Sequence, residues 1–308
     1  MACYPSRTPT MPLATVLVAT HDHGPMLLRS VGTALSQSVR DVEIFIVGDG
    51  ATAETRRAAA QLADDSRVRF FDFPKGLHNG GENRHRALAH ATGEIVCYLD
   101  DDDLWHRDHV AALQELLTAA DFAHTLPLVV TAEGRLESWA VDLSRAADRD
   151  QLLTGRLGLA KSVAGHTRCI YSGLPYGWRN VEGPETVRDV WRQIVERPGC
   201  RVAASTRPTA LQLPAAWREG WSLDRRLAEL DEWSERLASP SWPLFVLDHF
   251  VHETADLQRH LAQVRGWLQE GERAAASWRD AWQTAQQSLA EARAYAESLE
   301  AERDARAG

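Results

Sequence analysis

The stretch Gly93-Glu94-Ile95-Val96-Cys97-Tyr98-Leu99-Asp100-Asp101-Asp102-Asp103-Leu104-Trp105 decides how this chain is read. Ile95 to Leu99 run without a charge and without alternation, and four carboxylates follow at once. A short unalternating apolar run predicts a strand buried on both faces, as in the middle of an α/β sheet. Adjacent aspartates repel one another, so a fold that gathers them at a strand end needs a compensating charge. A divalent cation is one answer, because oxygen-rich clusters suit Mg²⁺ or Mn²⁺, which also bridge to phosphates. A solvated acidic turn is the plain alternative.

Upstream, Leu13 to Thr20 (LATVLVAT) is an apolar, β-branched first strand, broken by His21-Asp22-His23-Gly24-Pro25. Met26 to Gln37 carries Leu27, Leu28, Val31 and Leu35 at helical spacing. Val42 to Val47 predicts a second strand, closed by Gly48-Asp49-Gly50-Ala51-Thr52, and Glu54 to Ala63 a helix. Val68 to Phe73 predicts a third strand, stopped by Pro74-Lys75-Gly76. A turn at Asn79-Gly80-Gly81 leads into a helix to about Ala91, just before the acidic-ended strand. This strand–helix alternation predicts an α/β fold: a Rossmann-like, mostly parallel sheet flanked by helices. In such sheets ligands bind at the carboxyl ends of strands. The loops Thr20 to His23, Gly48 to Ala51 and Asp100 to Asp103 are therefore expected to share one crevice.

Downstream the pattern is less regular. His106 to Ala120 reads as a helix, and Leu128 to Trp139 as a hairpin turning at Glu133-Gly134. Asp150 to Tyr176, dotted with glycine, yields no clear element. Pro184 to Glu196 is a helix with Val187, Val190, Trp191 and Ile194 on its apolar face and Pro184 in its first turn. Val202 to Ala204 and Ala210 to Leu213 are short strands, a further helix runs to about Leu237, and Pro240 and Pro243 mark a boundary. Beyond it, Leu257, Leu261, Val264, Leu268, Gly271, Ala275, Trp278, Trp282, Ala285, Leu289, Ala292, Ala296 and Leu299 follow one another in alternating long and short steps. That is an a/d heptad seam in which only Gly271 is poor at its place. It predicts a C-terminal long helix in a coiled coil, as a homo-oligomer or against a partner helix through residues 257–299. A solvated helix folded back on the domain is the other reading. Trp278 and Trp282 argue for a wide or irregular coil. The expected division is a flexible N-terminus (1–12), an α/β domain (13–240, with halves 13–105 and 106–240) and a helical coiled-coil tail (244–308).

With 308 residues the chain has ample core, and its formal charge of −9 argues against a nucleic-acid partner. No stretch is long and apolar enough to span a bilayer, so no transmembrane segment is expected. Met1 to Pro12 lacks the apolar centre of a signal peptide. Cys3, Cys97, Cys169 and Cys200 are far apart and fit no metal spacing. These features fit a cytoplasmic protein, and a peripheral place at the membrane is compatible with them.

With these pieces in order, residues 13–215, and most strongly 14–105, resemble a family 2 glycosyltransferase of the GT-A fold. Ala19-Thr20-His21-Asp22 stands for the family's Pro-Thr-Tyr-Asn-like loop, and Gly48-Asp49-Gly50-Ala51-Thr52 for its Asp-Asp-Gly-Ser-Thr. Asn83-Arg84-His85-Arg86-Ala87 looks like its Ala-Arg-Asn-x-Gly helix, and Gly93 to Asp103 reproduces Gly-Glu-x-x-x-x-Leu-Asp-x-Asp-Asp throughout. The resemblance implies an inverting transfer from a nucleotide-sugar donor, with UDP- or dTDP-sugars favoured, to a glycan, lipid-linked or protein hydroxyl. It implies that Thr20, His21 and Asp22 meet the base, that Asp49 accepts from its imide N–H, and that Arg84 neutralises the diphosphate or steadies the aspartates. Asp100 would touch the ribose, and Asp102 would hold Mn²⁺ or Mg²⁺. Thr20 and Asp22 as helix caps, Asp49 as a turn residue and Arg84 as a helix-surface residue are the structural alternatives. His21 and His23 have no third ligand nearby and are not read as a metal pair.

Three positions depart from the family. Gly48 replaces the first aspartate of its motif, and Gln212 stands where many relatives carry a histidine suited to the metal. The segment Thr186-Val187-Arg188-Asp189-Val190-Trp191 stands for Glu-Asp-x-Asp-x-Trp, which puts Val187 at the usual place of the catalytic base. Glu185 and Asp189, four apart on one helix face opposite the apolar stripe, are the substitute candidates, with Glu182 a third. These changes keep a second class open: a non-catalytic GT-A-like binding or assembly protein that recruits partners through its coiled coil.

Overall fold

The computed structural model describes residues 11–181 and 185–307, the side chains of Glu185, Ala292 and 294–307 excepted. The expected flexibility of residues 1–10, and Glu182 and Pro184, lie outside the described residues. The first half alternates as β1 (Ala14–Thr20), α1 (Met26–Leu35), β2 (Val42–Asp49), α2 (Ala53–Leu62), β3 (Val68–Phe73), α3 (Gly81–Leu88) and β4 (Ile95–Asp100). Then come β5 (Leu104–Trp105), α4 (His109–Leu117), β6 (Phe122–His124), β7 (Pro127–Val130), β8 (Leu136–Glu137) and α5 (Ala146–Leu153). A 3₁₀ turn (Lys161–Val163) leads into β9 (Ala164–Thr167), α6 (Arg168–Ser172) and α7 (Glu185–Val195). The domain closes with β10 (Val202–Ala204), β11 (Ala210–Gln212) and α8 (Leu223–Ala238), and α9 (Trp242–Ala307) follows.

The main sheet has the order β10-β6-β9-β4-β1-β2-β3. β1 pairs in parallel with β2 and β4, and β2 with β3, whereas β9 runs antiparallel between β4 and β6. A smaller sheet, β5-β11-β7-β8, carries the β7–β8 hairpin. Val16, Ile44 and Cys97 on one face and Leu17, Phe45 and Tyr98 on the other are all buried, as continuous apolar strands covered on both sides require. The chain steps outward from β1 to β2 and β3, then returns to the other side of β1 with β4. That reversal is the place where such sheets open a crevice at their carboxyl ends. The register brings Ala19 level with Asp100 and Thr20 level with Gly48, so the loops after β1, β2 and β4 leave the sheet side by side.

Beneath that edge lies a buried polar and aromatic cluster. His166 donates Nδ1–H to the Thr167 carbonyl at 2.9 Å, which leaves Nε2 as an acceptor. Tyr98 therefore donates its hydroxyl proton to His166 Nε2 at 2.6 Å and accepts from Trp178 Nε1 at 3.0 Å. Burial lowers the His166 pKa to about 4, which keeps the ring neutral, as this arrangement needs. Trp178 and Trp191 pack edge-on to Tyr98, at centroid distances of 5.4 and 5.5 Å. The apolar stripe of α7 (Val190, Trp191, Ile194) is buried here, and Trp191 Nε1 donates to the Leu159 carbonyl at 3.0 Å.

The described residues fall into two units, divided after Trp242. The second is the long helix α9, whose Leu257, Leu261, Leu268, Trp278, Trp282 and Leu289 are exposed in the single chain. The seam positions Ala292, Ala296 and Leu299 fall among the side chains that are not described.

Removing the Tyr98 hydroxyl would leave Trp178 Nε1–H and His166 Nε2 buried without partners. Tyr98→Phe is expected to cost about 1–3 kcal/mol, the usual penalty for unsatisfied buried groups. Urea unfolding measures it, and a loss of only a few tenths would show that the triad is not tightly coupled.

Candidate functional site

The crevice at the carboxyl edge is a cleft of about 280 Å³, lined by the loop Ala19 to His23, by Asp49, Lys75, His78, Asn79 and Arg84, by Asp100, Asp101 and Lys161, and by Thr186 and Val187 of α7. Thr20, His21, Asp22, Asp49, Arg84 and Asp100 are thus brought together as expected from sequence.

Asp49, the last residue of β2, is 7% exposed and closely held. Its Oδ1 accepts from Gly76 N–H and Asn83 Nδ2, each at 2.7 Å, and Oδ2 pairs with Lys75 Nζ at 2.9 Å. Burial alone would raise its pKa, but these donors outweigh it and hold the carboxyl below the usual range. Gly80 closes this corner: its φ of +62° suits glycine, and a Cβ there would stand 2.5 Å from the Asp49 carboxylate. Above it, His21 Nδ1 meets the Asp49 carbonyl at 2.9 Å, so the ring is oriented by backbone while its exposed face is left to the cleft. Arg84 of α3 donates to the Asn79 carbonyl and stands 5.4 Å over the Trp178 ring. Burial lowers its pKa, against the pull of Asp100, Asp49 and Asp101. Its Nε is buried without a partner among the described residues.

The four aspartates at and just beyond the end of β4 diverge to different partners. Asp100 pairs with Lys161 Nζ at 2.7 Å, and Asp101 accepts from His23 Nδ1 at 2.8 Å. Asp102 Oδ2 takes Arg226 Nη2 of α8 at 3.2 Å, and Arg226 also donates to the Leu213 carbonyl. Asp103 accepts from Ser162 Oγ at 2.6 Å and from Leu213 N–H at 3.0 Å, which ties β4 to the end of β11. The hydrogen bond from Asp101 raises His23 to about 9 in spite of burial. Burial and the neighbouring Asp101 push Asp102 up to about 6, and burial with Asp102 pushes Asp103 up further. A carboxylate cluster held at such a cost is chemically suited to a small divalent cation. One ligand atom each from His23, Asp101 and Asp102 lie within 4.8 Å of one another, so the residues present fit such an ion.

Sequence reasoning passed over four of these groups. Lys75 was hidden in a Pro-Lys-Gly turn, and Lys161 in the stretch without a clear element. Arg226 lies far along the chain on an ordinary amphipathic helix, and His23 was visible but lacked an obvious partner. Gln212 of β11 is 7% exposed, and its Nε2 has no partner among the described residues.

The candidate base Asp189 is not brought into the cleft. α7 presents Thr186 and Val187 there, while Asp189 is bound in bidentate fashion by Arg179 at 2.7 and 2.8 Å. Arg192 at 3.1 Å and Gln193 at 2.9 Å add to this. Burial would raise its pKa, but the two arginines outweigh burial and hold it low, the opposite of what a base working near neutral pH needs. The Glu185 side chain lies outside the described set, although its backbone opens α7 directly before Thr186.

With this geometry in place, the profile described as "Glycosyl transferase family 2" matches residues 15–171, just over half the chain. The chain belongs to glycosyl transferase family 2. An uncharacterized glycosyltransferase of Nostoc sp. is 28% identical over 107 residues, 35% of this chain and 33% of the relative. The GalNAc(5)-diNAcBac-PP-undecaprenol beta-1,3-glucosyltransferase of Campylobacter jejuni is 30% identical over 94 residues, 30% of each chain. This family 2 chain thus spans about a third of the length of these curated relatives. The crystal structure of S. aureus TarS in complex with UDP-GlcNAc superposes with a TM-score of 0.52 at 16% identity, over 68% of this chain and 60% of that one. The likeness establishes a GT-A fold for this family 2 member. No helix among the described residues is long and apolar enough to cross a membrane.

The Asp189 pairing makes a pH-dependent prediction. A carboxyl whose folded pKa is depressed stabilises the fold above its unfolded pKa, about 3.9, and this contribution fades as pH falls through the folded value. Asp189→Asn is therefore expected to lower the melting temperature at pH 7, with the gap to the native protein closing below about pH 4. A gap that stays constant with pH would assign the loss to packing rather than to charge.

Proposed function

We propose that this protein is an inverting glycosyltransferase, moving a sugar from a nucleotide-diphosphate donor to the hydroxyl of a glycan, lipid-linked sugar or protein. The convergence of Thr20, His21, Asp22, Asp49, Arg84 and Asp100 on one cleft at the reversal point of the sheet carries this reading. Thr20, His21 and Asp22 receive the base, for which uridine or thymidine is the first choice. Asp49, already oriented by Asn83 and Gly76, accepts its imide N–H. Asp100 meets the ribose, and Arg84 with Lys161 faces the diphosphate. Asp102 helps hold Mn²⁺ or Mg²⁺, whose contribution is to offset charge growing on the departing nucleoside diphosphate. Glu185, at the start of α7 beside Thr186, is the remaining candidate to take the acceptor's proton, and Asp189 acts at one remove by fixing Arg179 below the same helix. The free thiols of Cys97 and Cys200 fit a reducing, cytoplasmic compartment.

One observation favours the second reading, a non-catalytic binding or assembly protein: α7 offers the cleft Val187 where the family places a carboxylate. Thermal unfolding with UDP, dTDP, GDP and CDP, each with and without Mn²⁺, tests donor binding. A native-state ligand at a hundredfold excess over Kd stabilises by about 2.7 kcal/mol. A Mn²⁺-dependent rise with one nucleotide is expected, and Asp102→Asn should remove the Mn²⁺ dependence while leaving the fold. Glu185→Gln should keep the rise and lose sugar transfer. No rise with any nucleotide would overturn the reading.

The exposed seam of α9 is proposed as an oligomerisation or partner-helix surface. A chain cut after Phe250 is expected to sediment as a monomer that still binds nucleotide; one that remains oligomeric would place the interface on the globular unit.

A further inference from the structure

We propose that His23 is a ligand of the divalent cation in the donor cleft, completing with Asp101 and Asp102 a nitrogen-bearing site that favours Mn²⁺ over Mg²⁺. The inference rests on the donor-site reading above and assigns to it residues from two separate loops.

The geometry begins with the register of β1 and β4, which sets the loop after Thr20 beside the acidic end of β4. His23 is half-buried, and its Nδ1 points at Asp101 Oδ1, 2.8 Å away. A cation that displaces the Nδ1 proton would leave the Nδ1 lone pair along that same line, into the cluster. Asp101 and Asp102 are buried at 7% and 8% exposure, and the three ligand atoms lie within 4.8 Å of one another. Ligands about 2.1 Å from a small cation stand about 3 Å apart when adjacent and about 4.2 Å when opposite. His23 Nδ1 and Asp101 Oδ1 already stand at the spacing of adjacent ligands, so Asp102 is the one that has to close in.

Two further observations point to a ligand here. Thr20 Oγ1 lines the same cleft, in a residue only 4% exposed, and has no hydrogen-bond partner among the described residues. It stands ready for a coordinated water or for the donor. Arg226 occupies only one carboxylate oxygen, Oδ2 of Asp102, so the arginine neutralises part of the cluster from behind without filling it. The chemistry then decides which ion. Carboxylate and water ligands accept Mg²⁺, Ca²⁺ and Mn²⁺ alike, whereas imidazole suits transition metals and discriminates against Mg²⁺.

The test uses the full chain with Mn²⁺ alone, and then with Mn²⁺ and UDP. Pulsed electron paramagnetic resonance on the bound Mn²⁺ is expected to show coupling to a directly bound nitrogen in the native protein and none in His23→Gln. Calorimetric titration is expected to show Mn²⁺ affinity falling about tenfold or more in His23→Gln, the scale on which such sites respond to ligand-environment changes. The preference for Mn²⁺ over Mg²⁺ should narrow in the same variant. Asp101→Asn gives a second loss of affinity with the imidazole intact, and metal-free melting curves show that each variant folds. Absence of nitrogen coupling in the native protein, or unchanged Mn²⁺ affinity in His23→Gln, overturns the proposal. If Mn²⁺ still strengthens UDP binding in either case, the donor-site reading survives while His23 leaves the site. If the native protein binds no Mn²⁺, both fall.

Discussion

Four carboxylates at the end of one buried strand are the constraint that the rest of the domain answers. Two unit charges about 5 Å apart repel by about 3 kcal/mol at the effective dielectric of a protein surface. Several such pairs would consume most of a typical folding free energy of about 5–15 kcal/mol. The chain spreads the problem over its whole length. Lys161 comes from the turn before β9, His23 from the loop after β1 and Arg226 from α8, while Leu213 N–H and Ser162 share Asp103. The acidic cluster is therefore also the rivet between the two sheets and the helix that covers them. The same contacts that tolerate the charge position it.

Asp49 shows the complementary strategy. Its single charge is met by Lys75, and its two oxygens are fixed by backbone, amide and ammonium donors at once. The left-handed Gly80 lets α3 begin against it, and Gly81 lets the same turn press on the Arg179 backbone, where a Cβ would meet the carbonyl oxygen at 2.1 Å. Orientation at this corner is settled before any ligand arrives, which reduces the ordering cost of binding.

The central strands β1, β2 and β4 were legible because a strand buried on both faces is apolar almost throughout, edge strand β3 by its aromatic residues and the Pro74 stop, and the residues at their ends because the order of the strands places those ends together. The strand β9 was not. Ala164-Gly165-His166-Thr167 has no strand signature of its own, and it is a strand only because β4 and β6 leave a slot between them. Gly165 fits that slot because a Cβ would come to 3.1 Å from Leu113 Cδ1 and the Val96 carbonyl. Lys161 and Arg226 escaped notice, and His23 was set aside, for a related reason. Their meaning lies in which aspartate they reach, and contacts across many tens of residues leave no local pattern. The helical-face argument for Asp189 was sound as far as it went, since the residue does lie off the apolar stripe. What periodicity could not supply was Arg179 in the preceding loop, already waiting for it.

This arrangement separates binding from turnover. In the proposed reading, recognition of a donor is spread over loops from β1, β2, β3 and β4 and over α3, with Asp49, Asp100 and Asp101 each braced by a neighbour. Proton acceptance has no such redundancy. α7 turns one carboxylate, Asp189, away into an ion pair and presents Val187 to the cleft, so the proposed transfer would call on Glu185, the first residue of the helix, as its proton acceptor. A helix N-terminus favours the ionised form of a carboxylate there, which keeps it available as a proton acceptor but also lowers its basicity. A base so placed relies on closeness to the acceptor hydroxyl rather than on a raised pKa. The rate of the proposed transfer would then depend on how the acceptor is seated against α7 more than on how the donor is held.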